Sequence, residues 1–254
     1  MADHGQTPRS QNPGSGQGPK YLTVANAILR SVESGRWKPG DQLPSETDLA
    51  EQMQVSLGTV QKALKVLTDQ GLVLRHHGRG TFVGSGRAPD EALRHFRFLA
   101  EGGRELLPVV SRVLSIDETA EQGPWAMFLG PADSYIRLSR ILHIGGEFEL
   151  SSEMYLPGEK FRQLLEVPTK SLHGVLIRDY LTTHFNTPTL KLEQQMRCGT
   201  LPPRVCNLIN VPRNTMGLIW TLFAFTYRES PAIYQKVFVP PSDRELQIID
   251  AGVA

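Results

Sequence analysis

The residues whose types and spacing could do chemistry are basic, amide and hydroxyl side chains, and the chemistry they point to is contact with phosphates and base edges. In Leu57-Gly58-Thr59-Val60-Gln61-Lys62-Ala63-Leu64-Lys65, the residues Val60, Ala63, Leu64 and then Leu67 fall at i, i+3, i+4 and i+7. That stripe turns Gly58, Lys62 and Lys65 away from the core, with Leu57 and Gln61 beside them. A helix of this kind fits the major groove, where N-terminal residues of a recognition helix reach base edges. Gly58 allows close backbone approach. Ser45, Ser56 and Thr59 lie near helix N-termini and can donate to phosphates. Taken singly, Lys62 and Lys65 read as a solvated helix face. What favours nucleic acid is a second basic group, Arg75-His76-His77-Gly78-Arg79-Gly80, where two His and two Arg around two Gly form a basic, backbone-exposed tip, with His77, Gly78 and Arg79 as its candidate DNA contacts.

Other chemistry has little support. No Gly-x-Ser-x-Gly elbow or Walker-type phosphate loop is present, and the Gly-Ser-Gly-Gln-Gly of residues 14–18 neither follows a strand nor opens a helix. His95, His143, His173 and His184 are scattered without ligand spacing, and His76-His77 read as solvent- or phosphate-facing, so neither a metal nor a cofactor is expected. Two cysteines, Cys198 and Cys206, cannot build a disulfide framework or a four-thiolate zinc site. Both read as reduced core thiols of a cytosolic protein, with a redox-sensing role as the alternative.

The elements that would hold these residues follow from pattern. Residues 1–19 hold four Gly, three Pro, three Gln and two Ser with no large apolar residue after Met1, and read as a disordered tail or a tag remnant. Tyr21, Ala25, Ile28, Leu29 and Val32 mark a first helix ended by Gly35. Ser45 caps a second, with Glu46 and Asp48 favouring the positive end of its dipole. After the Gln54-Val55 turn, Ser56 caps a third, which ends at Gly71. The runs at 72–74 and 81–83 then form a hairpin around the basic tip. Three short helices and a hairpin are the order of a winged helix-turn-helix. Trp37 reads as packing beside the first helix.

Residues 84–89 have linker composition, giving expected divisions of 20–84, a linker at 85–92 and a second domain at 93–254. There, Ser134–Ile144 and Glu147–Leu156 alternate around Gly145-Gly146, a hairpin signal. Helices are expected at 158–166, 171–185 and 202–209, a strand at 189–200, and a second hairpin from 215–228 and 232–239. The fold class expected is α+β with a mainly antiparallel sheet. Arg137 and Arg140, three apart on one strand, fall on opposite faces, so at most one faces a cleft. Arg140 reads as a ligand contact or a structural ion pair.

The 254-residue length supports one to two domains. Lys+Arg 27 against Asp+Glu 26 gives +1, so net charge favours no partner. Residues 20–84 hold eight Lys/Arg and six Asp/Glu, so their basic charge must be concentrated on one face to matter. The longest apolar stretch, 216–227, is 12 residues, too short to cross a bilayer, and the N-terminus lacks signal-peptide order. No membrane association and a cytoplasmic location are expected.

Pro39-Gly40-Asp41-Gln42-Leu43-Pro44-Ser45-Glu46, Leu49-Ala50, Val55-Ser56, Thr59-Val60, Ala63-Leu64, Leu67, Gly71-Leu72 and Gly78-Arg79-Gly80-Thr81-Phe82-Val83 closely resemble the DNA-binding domain of the GntR family of bacterial transcription regulators. The resemblance implies a dimer on a palindromic operator, helix three in the major groove and the wing in the minor groove. Relatives commonly carry Arg where Thr47, Leu57 and Gln61 stand. Gln pairs better with adenine than with guanine, so an A·T-richer half-site is expected here. More weakly, Tyr135-Ile136-x-Leu138-x-Arg140, Gly145-Gly146-Glu147, Tyr155-Leu156-Pro157, Leu208-x-x-Val211-Pro212 and Ser230-Pro231 resemble the UTRA domain of the HutC-like branch, of chorismate-lyase-like fold. That likeness implies an effector cleft involving Arg140, Glu153, Tyr155 and Tyr234, although Leu142 stands where relatives repeat the Arg and Ser152 where many have Glu.

The expected function is thus a ligand-responsive regulator, a repressor, with a small-molecule effector. Two alternatives stand beside it: an enzyme built on the chorismate-lyase-like domain, although no nucleophile or acid/base pair is visible, and a winged helix used to bind protein.

Overall fold

The computed structural model describes residues 19–84 and 96–248. The expected tail apart from Pro19, the expected linker at 85–92 and His95 lie outside the described residues.

Helices α1 (Lys20–Glu33), α2 (Glu46–Met53) and α3 (Leu57–Asp69) pack around Ile28, Leu49, Val60, Ala63 and Leu64, all fully buried. Trp37 packs against this core. Ser45 opens α2 with a complete capping box: its Oγ accepts from the Asp48 amide, and its own amide donates to the Asp48 carboxylate. Gln54, at φ +52, makes the tight turn into α3, and Ser56 caps α3 through the Thr59 amide. Strands β1 (Val73–His76) and β2 (Gly80–Val83) pair antiparallel from Val73↔Val83 to His76↔Gly80, leaving His77, Gly78 and Arg79 as the loop. Gly80 has φ +106, and a Cβ there would stand 2.7 Å from Nε2 of Gln42, the atom that donates to the Arg79 carbonyl. Glycine at that position lets Gln42 tie the wing to the helical body.

The second sheet has six strands in the order β3 (Val109–Thr119), β4 (Tyr135–Ile144), β5 (Phe148–Pro157), β8 (Pro231–Val239), β7 (Met216–Phe225), β6 (Lys191–Thr200), and every neighbouring pair is antiparallel. One face carries Ile136, Leu138, Met154, Leu156 and Ile233 and is covered by α5 (Gly158–Phe161), by 3-10 turns at 162–166 and 169–172, and by α6 (Ile177–Phe185). The opposite face is covered by α4 (Pro124–Leu129), through Trp125 and Phe128, and by α7 (Pro203–Leu208), through Val205 and Cys206.

The α+β class with an antiparallel sheet is as expected, but several local readings are corrected. The helix expected over 171–185 is two pieces, a 3-10 turn and α6, broken where Gly174 takes φ +70. The helix expected over 158–166 is one α-turn followed by a 3-10 turn. Strand β3 and helix α4 had no counterpart in the sequence reading. A register shift between Val113 and Ser115 interrupts the alternation that would have marked β3. Cys198, expected in the core, is exposed because its strand lies at the sheet edge; Cys206 is buried.

Candidate nucleic-acid interface and ligand cavity

On α3, Leu57, Gly58, Gln61, Lys62 and Lys65 are exposed and Thr59 is half-buried. Beside them stand exposed Ser45 and Thr47 of α2 and the exposed wing residues His77, Gly78 and Arg79. The surface is more tied together than its composition suggests. Gln61 Nε2 donates to Glu46 at 2.9 Å, and Arg75 donates to the other oxygen of that carboxylate at 2.7 Å. Lys62 holds its ammonium 4.3 Å from the centre of the Tyr21 ring. Ser56 and Thr59 share a 2.8 Å hydroxyl–hydroxyl bond, which leaves one O–H of the pair for an outside acceptor. Arg75 belongs to the basic wing that the sequence points to, but it is not among the DNA contacts expected from sequence.

The second structure of interest is a cavity of about 350 Å³ between the sheet and α6. Arg140 of β4, Gln235 of β8, Ser111 of β3, Arg178 of α6 and Arg97 are its polar wall, and Phe96, Leu107, Leu142 and Ile177 are part of its apolar wall. Among the described residues no carboxylate lines it. Arg140 and Arg178 are buried, and burial lowers the guanidinium pKa of Arg140 to about 10 and, with the Arg140 charge nearby, that of Arg178 to about 9. Both stay charged at neutral pH. Arg140 Nε reaches Ser152 Oγ at 3.4 Å, Arg178 donates to Gln235 Oε1 at 3.3 Å, and Gln235 Nε2 donates to Ser152 Oγ at 2.9 Å. Arg178 also lies in the first turn of α6, where the helix dipole already presents positive potential. Two buried cations at a helix N-terminus repel each other, and an anion between them relieves that repulsion.

Of the four expected effector residues, only Arg140 lines this cavity. Strand alternation puts Glu153 and Tyr155 on the opposite face from Ser152, and Tyr234 opposite from Gln235. There Glu153 pairs with Arg204, and Tyr155 stacks on Trp125 with ring centres 3.8 Å apart and meets Tyr234 edge-on at 6.2 Å. These three therefore belong to the sheet face under α4 and α7, not to one cleft with Arg140. Arg178, Arg97, Gln235 and Ser111 were missed. The available signal was Arg178 itself, a cation in a helix's first turn beside buried Ile177 and Leu181.

Helix α6 connects the cavity to the winged helix. At its far end Asn186, at φ +46, donates to the carbonyls of Val32 and Glu33, the last residues of α1, at 2.8 and 3.2 Å. Tyr227 donates its hydroxyl to Asn186 Oδ1 at 3.1 Å and packs into the winged-helix core; that burial raises its phenol pKa. Arg228 grips Glu33 with two bonds, at 2.5 and 3.0 Å.

Among the described residues, no three His, Cys, Asp or Glu side chains come together as a metal site, and no helix is long and apolar enough to cross a membrane.

Residues 20–83 match the family model for bacterial regulatory proteins, gntR family. The chain is 29% identical over 186 residues to the HTH-type transcriptional regulator SmoD of Agrobacterium fabrum, covering 72% of this chain and 76% of that protein. It is 45% identical over 74 residues to the histidine utilization repressor of Klebsiella aerogenes, covering 29% of this chain and 31% of that protein. Among solved structures, the ligand-binding domain of a protein assigned to the GntR-family transcriptional regulators of Bordetella bronchiseptica superposes with a TM-score of 0.52 at 16% identity, over 61% of this chain and 96% of that one. That last likeness is one of fold. The names of these relatives are those of transcriptional regulators, and residues 20–83 resemble the DNA-binding domain of the gntR family of bacterial regulatory proteins.

Proposed function

We propose that this regulator is a homodimeric repressor whose operator affinity is set by a small anionic effector held between Arg140 and Arg178. Residues 20–84 supply the DNA contact, 85–92 the linker, and 93–254 the effector site and the dimer contact. The observation that carries the effector reading is the cavity of about 350 Å³ with the buried guanidiniums of Arg140 and Arg178 in its wall. A carboxylate or phosphate group matches its charge, and the apolar wall around Phe96, Leu107 and Leu142 suits a compact carbon skeleton beside it.

On DNA, α3 enters the major groove with Leu57, Gly58 and Gln61 toward base edges. Ser45, Thr47, Ser56, Thr59, Lys62 and Lys65 stand at phosphates, and the wing tip His77-Gly78-Arg79 reaches the flanking groove. Arg75 joins this set, since Glu46 holds it beside Gln61. The protein acts in the cytoplasm, where operator DNA is found.

Coupling runs along α6. An anion drawn to Arg178 pulls on the first turn of a helix whose other end holds the C-terminus of α1, so the cavity and the DNA-binding domain share one rigid element. The effector can shift operator affinity only by its differential affinity for the two arrangements.

Capture of genomic fragments by the purified full chain tests the DNA part. A two-fold-symmetric sequence should be enriched, with log affinity falling linearly with log salt. Capture without any enriched sequence, or binding indifferent to salt, would contradict it.

A further inference from the structure

The wall of the cavity is rich in hydrogen-bond donors and poor in acceptors. Arg97, Arg140 and Arg178 each bring a guanidinium, which carries N–H donors and no acceptor. Among the described residues, the side-chain acceptors in the wall are the Ser111 hydroxyl and the Gln235 amide oxygen. The second is already engaged. Arg178 can only donate, so Oε1 of Gln235 faces it at 3.3 Å, and Nε2 of Gln235 donates to Ser152 at 2.9 Å.

Main-chain acceptors of the wall are occupied in the same way. The carbonyls of Arg97, Pro108, Ser111 and Leu176 accept the amides of Gln247, Gly145, Gly174 and Asp179 at 2.9, 2.8, 2.8 and 3.0 Å. Those of Arg140 and Gln235 belong to β4 and β8, strands with a partner on each side. A ligand suited to such a wall accepts hydrogen bonds and does not donate them. A buried donor left without an acceptor loses its hydration, which weakens binding roughly 5- to 150-fold for each such group. An ammonium is placed worse than a hydroxyl. It stands beside the Arg140 and Arg178 charges, with no carboxylate in the described wall to offset them.

We infer that the effector is an anion whose body carries no amine and no set of hydroxyls: an α-keto acid, a plain carboxylic acid or the phosphate ester of an apolar alcohol. Amino acids and sugar phosphates are rejected by the same wall. This inference rests on the effector site proposed above and names the ligand class of that site. At about 350 Å³ the cavity lies near the small end of ligand pockets, roughly 300–1,000 Å³, so the body is compact.

Calorimetric titration of the full chain with matched probes tests the ligand class. Two pairs share a carbon skeleton, α-ketoisocaproate with leucine and α-ketoisovalerate with valine. A third sets phenyl phosphate against glucose-6-phosphate. In every pair that binds, the acceptor-only member should bind at least about tenfold more tightly. Gln235→Glu keeps the side-chain shape and puts a carboxylate in the wall, so the keto-acid advantage should shrink or reverse. If that variant fails to fold, the wild-type ratios decide. Leucine, valine or glucose-6-phosphate binding as tightly as its counterpart, and losing that binding in Arg140→Met, would keep the effector site and overturn the ligand class. A keto-acid advantage unchanged in folded Gln235→Glu would overturn it too, since the wall would not be its source. Keto-acid binding that persists in Arg140→Met, or no binding in any pair, would overturn both the class and the site.

Discussion

Arg178 and Asn186 belong to one short helix: the first faces the cavity from the opening turn of α6, and the second caps its end while bonded to the last carbonyls of α1. A helix of nine residues is stiff on the scale of the shifts that regulate proteins, typically ~1–2 Å. Under the proposed coupling, a displacement at the cavity is delivered to the winged helix.

Asn186→Gly tests that link. Glycine keeps the left-handed backbone that Asn186 adopts and removes only the side chain. Effector binding and unliganded operator binding should both stay within about twofold of wild type, while the change in operator affinity that effector causes should shrink toward none. Calorimetry for effector, with fluorescence anisotropy for DNA, separates the three quantities. Full retention of the response in Asn186→Gly would break the link.

The depressed guanidinium pKa values give a pH signature. With Arg140 at about 10 and Arg178 at about 9, the site keeps its charge from pH 5 to 8. Any pH dependence in that range then belongs to the effector. A phosphate ester should bind more tightly as pH rises through about 6, its second ionisation. A carboxylate should show no change above about pH 5. Both should weaken above pH 9 as Arg178 loses its proton. The same shifts have a stability sign. A cation whose folded pKa is depressed costs stability below that value, and the cost is relieved as pH rises through about 9, where the unfolded chain holds more protons. An effector affinity that climbs above pH 9 would mean that the bound group is not an anion.

On the proposed DNA contact, Gln61 is expected to set base preference. Its amide matches the N6 donor and N7 acceptor of adenine, whereas relatives with Arg at this position are suited to guanine. A good bidentate contact contributes roughly 1–3 kcal/mol of discrimination. Selected sites for the wild type should show A at one position per half-site, and Gln61→Arg should move that position alone toward G. Because Glu46 holds the Gln61 amide at 2.9 Å, Glu46→Ala should loosen the preference without shifting it. A wild-type G there, or an unchanged logo for Gln61→Arg, would mean that Gln61 lies against a phosphate.

Much of the winged helix was legible in sequence because each signal there is local. Ser45 and Ser56 cap within three residues, the stripe Val60-Ala63-Leu64-Leu67 has helical period, and Gly78 and Gly80 sit at positive φ. The cavity was not legible because its parts are far apart in sequence. Arg140, Arg178 and Gln235 meet only when β4, α6 and β8 are assembled, and the break at Gly174 that opens the wall looked like helix. Glu153, Tyr155 and Tyr234 were grouped with Arg140 by likeness to relatives, whereas strand alternation sends their side chains to the other face. Cys198 was placed in the core because edge position is a property of strand order, which hydropathy does not encode.

The most direct measurement is the operator affinity of the full chain, titrated by anisotropy on the captured sequence, with and without the anion that most raises its melting temperature in a panel of carboxylates and phosphates. The expected result is a several-fold loss of affinity in the wild type, within the ~5- to 150-fold range of ordinary coupling. Arg140→Met should bind the operator normally, melt no lower than wild type because a buried charge is removed, and show no response to that anion. An anion that stabilises the protein but leaves operator affinity unmoved, or a response that persists in Arg140→Met, would contradict an effector site at Arg140 and Arg178.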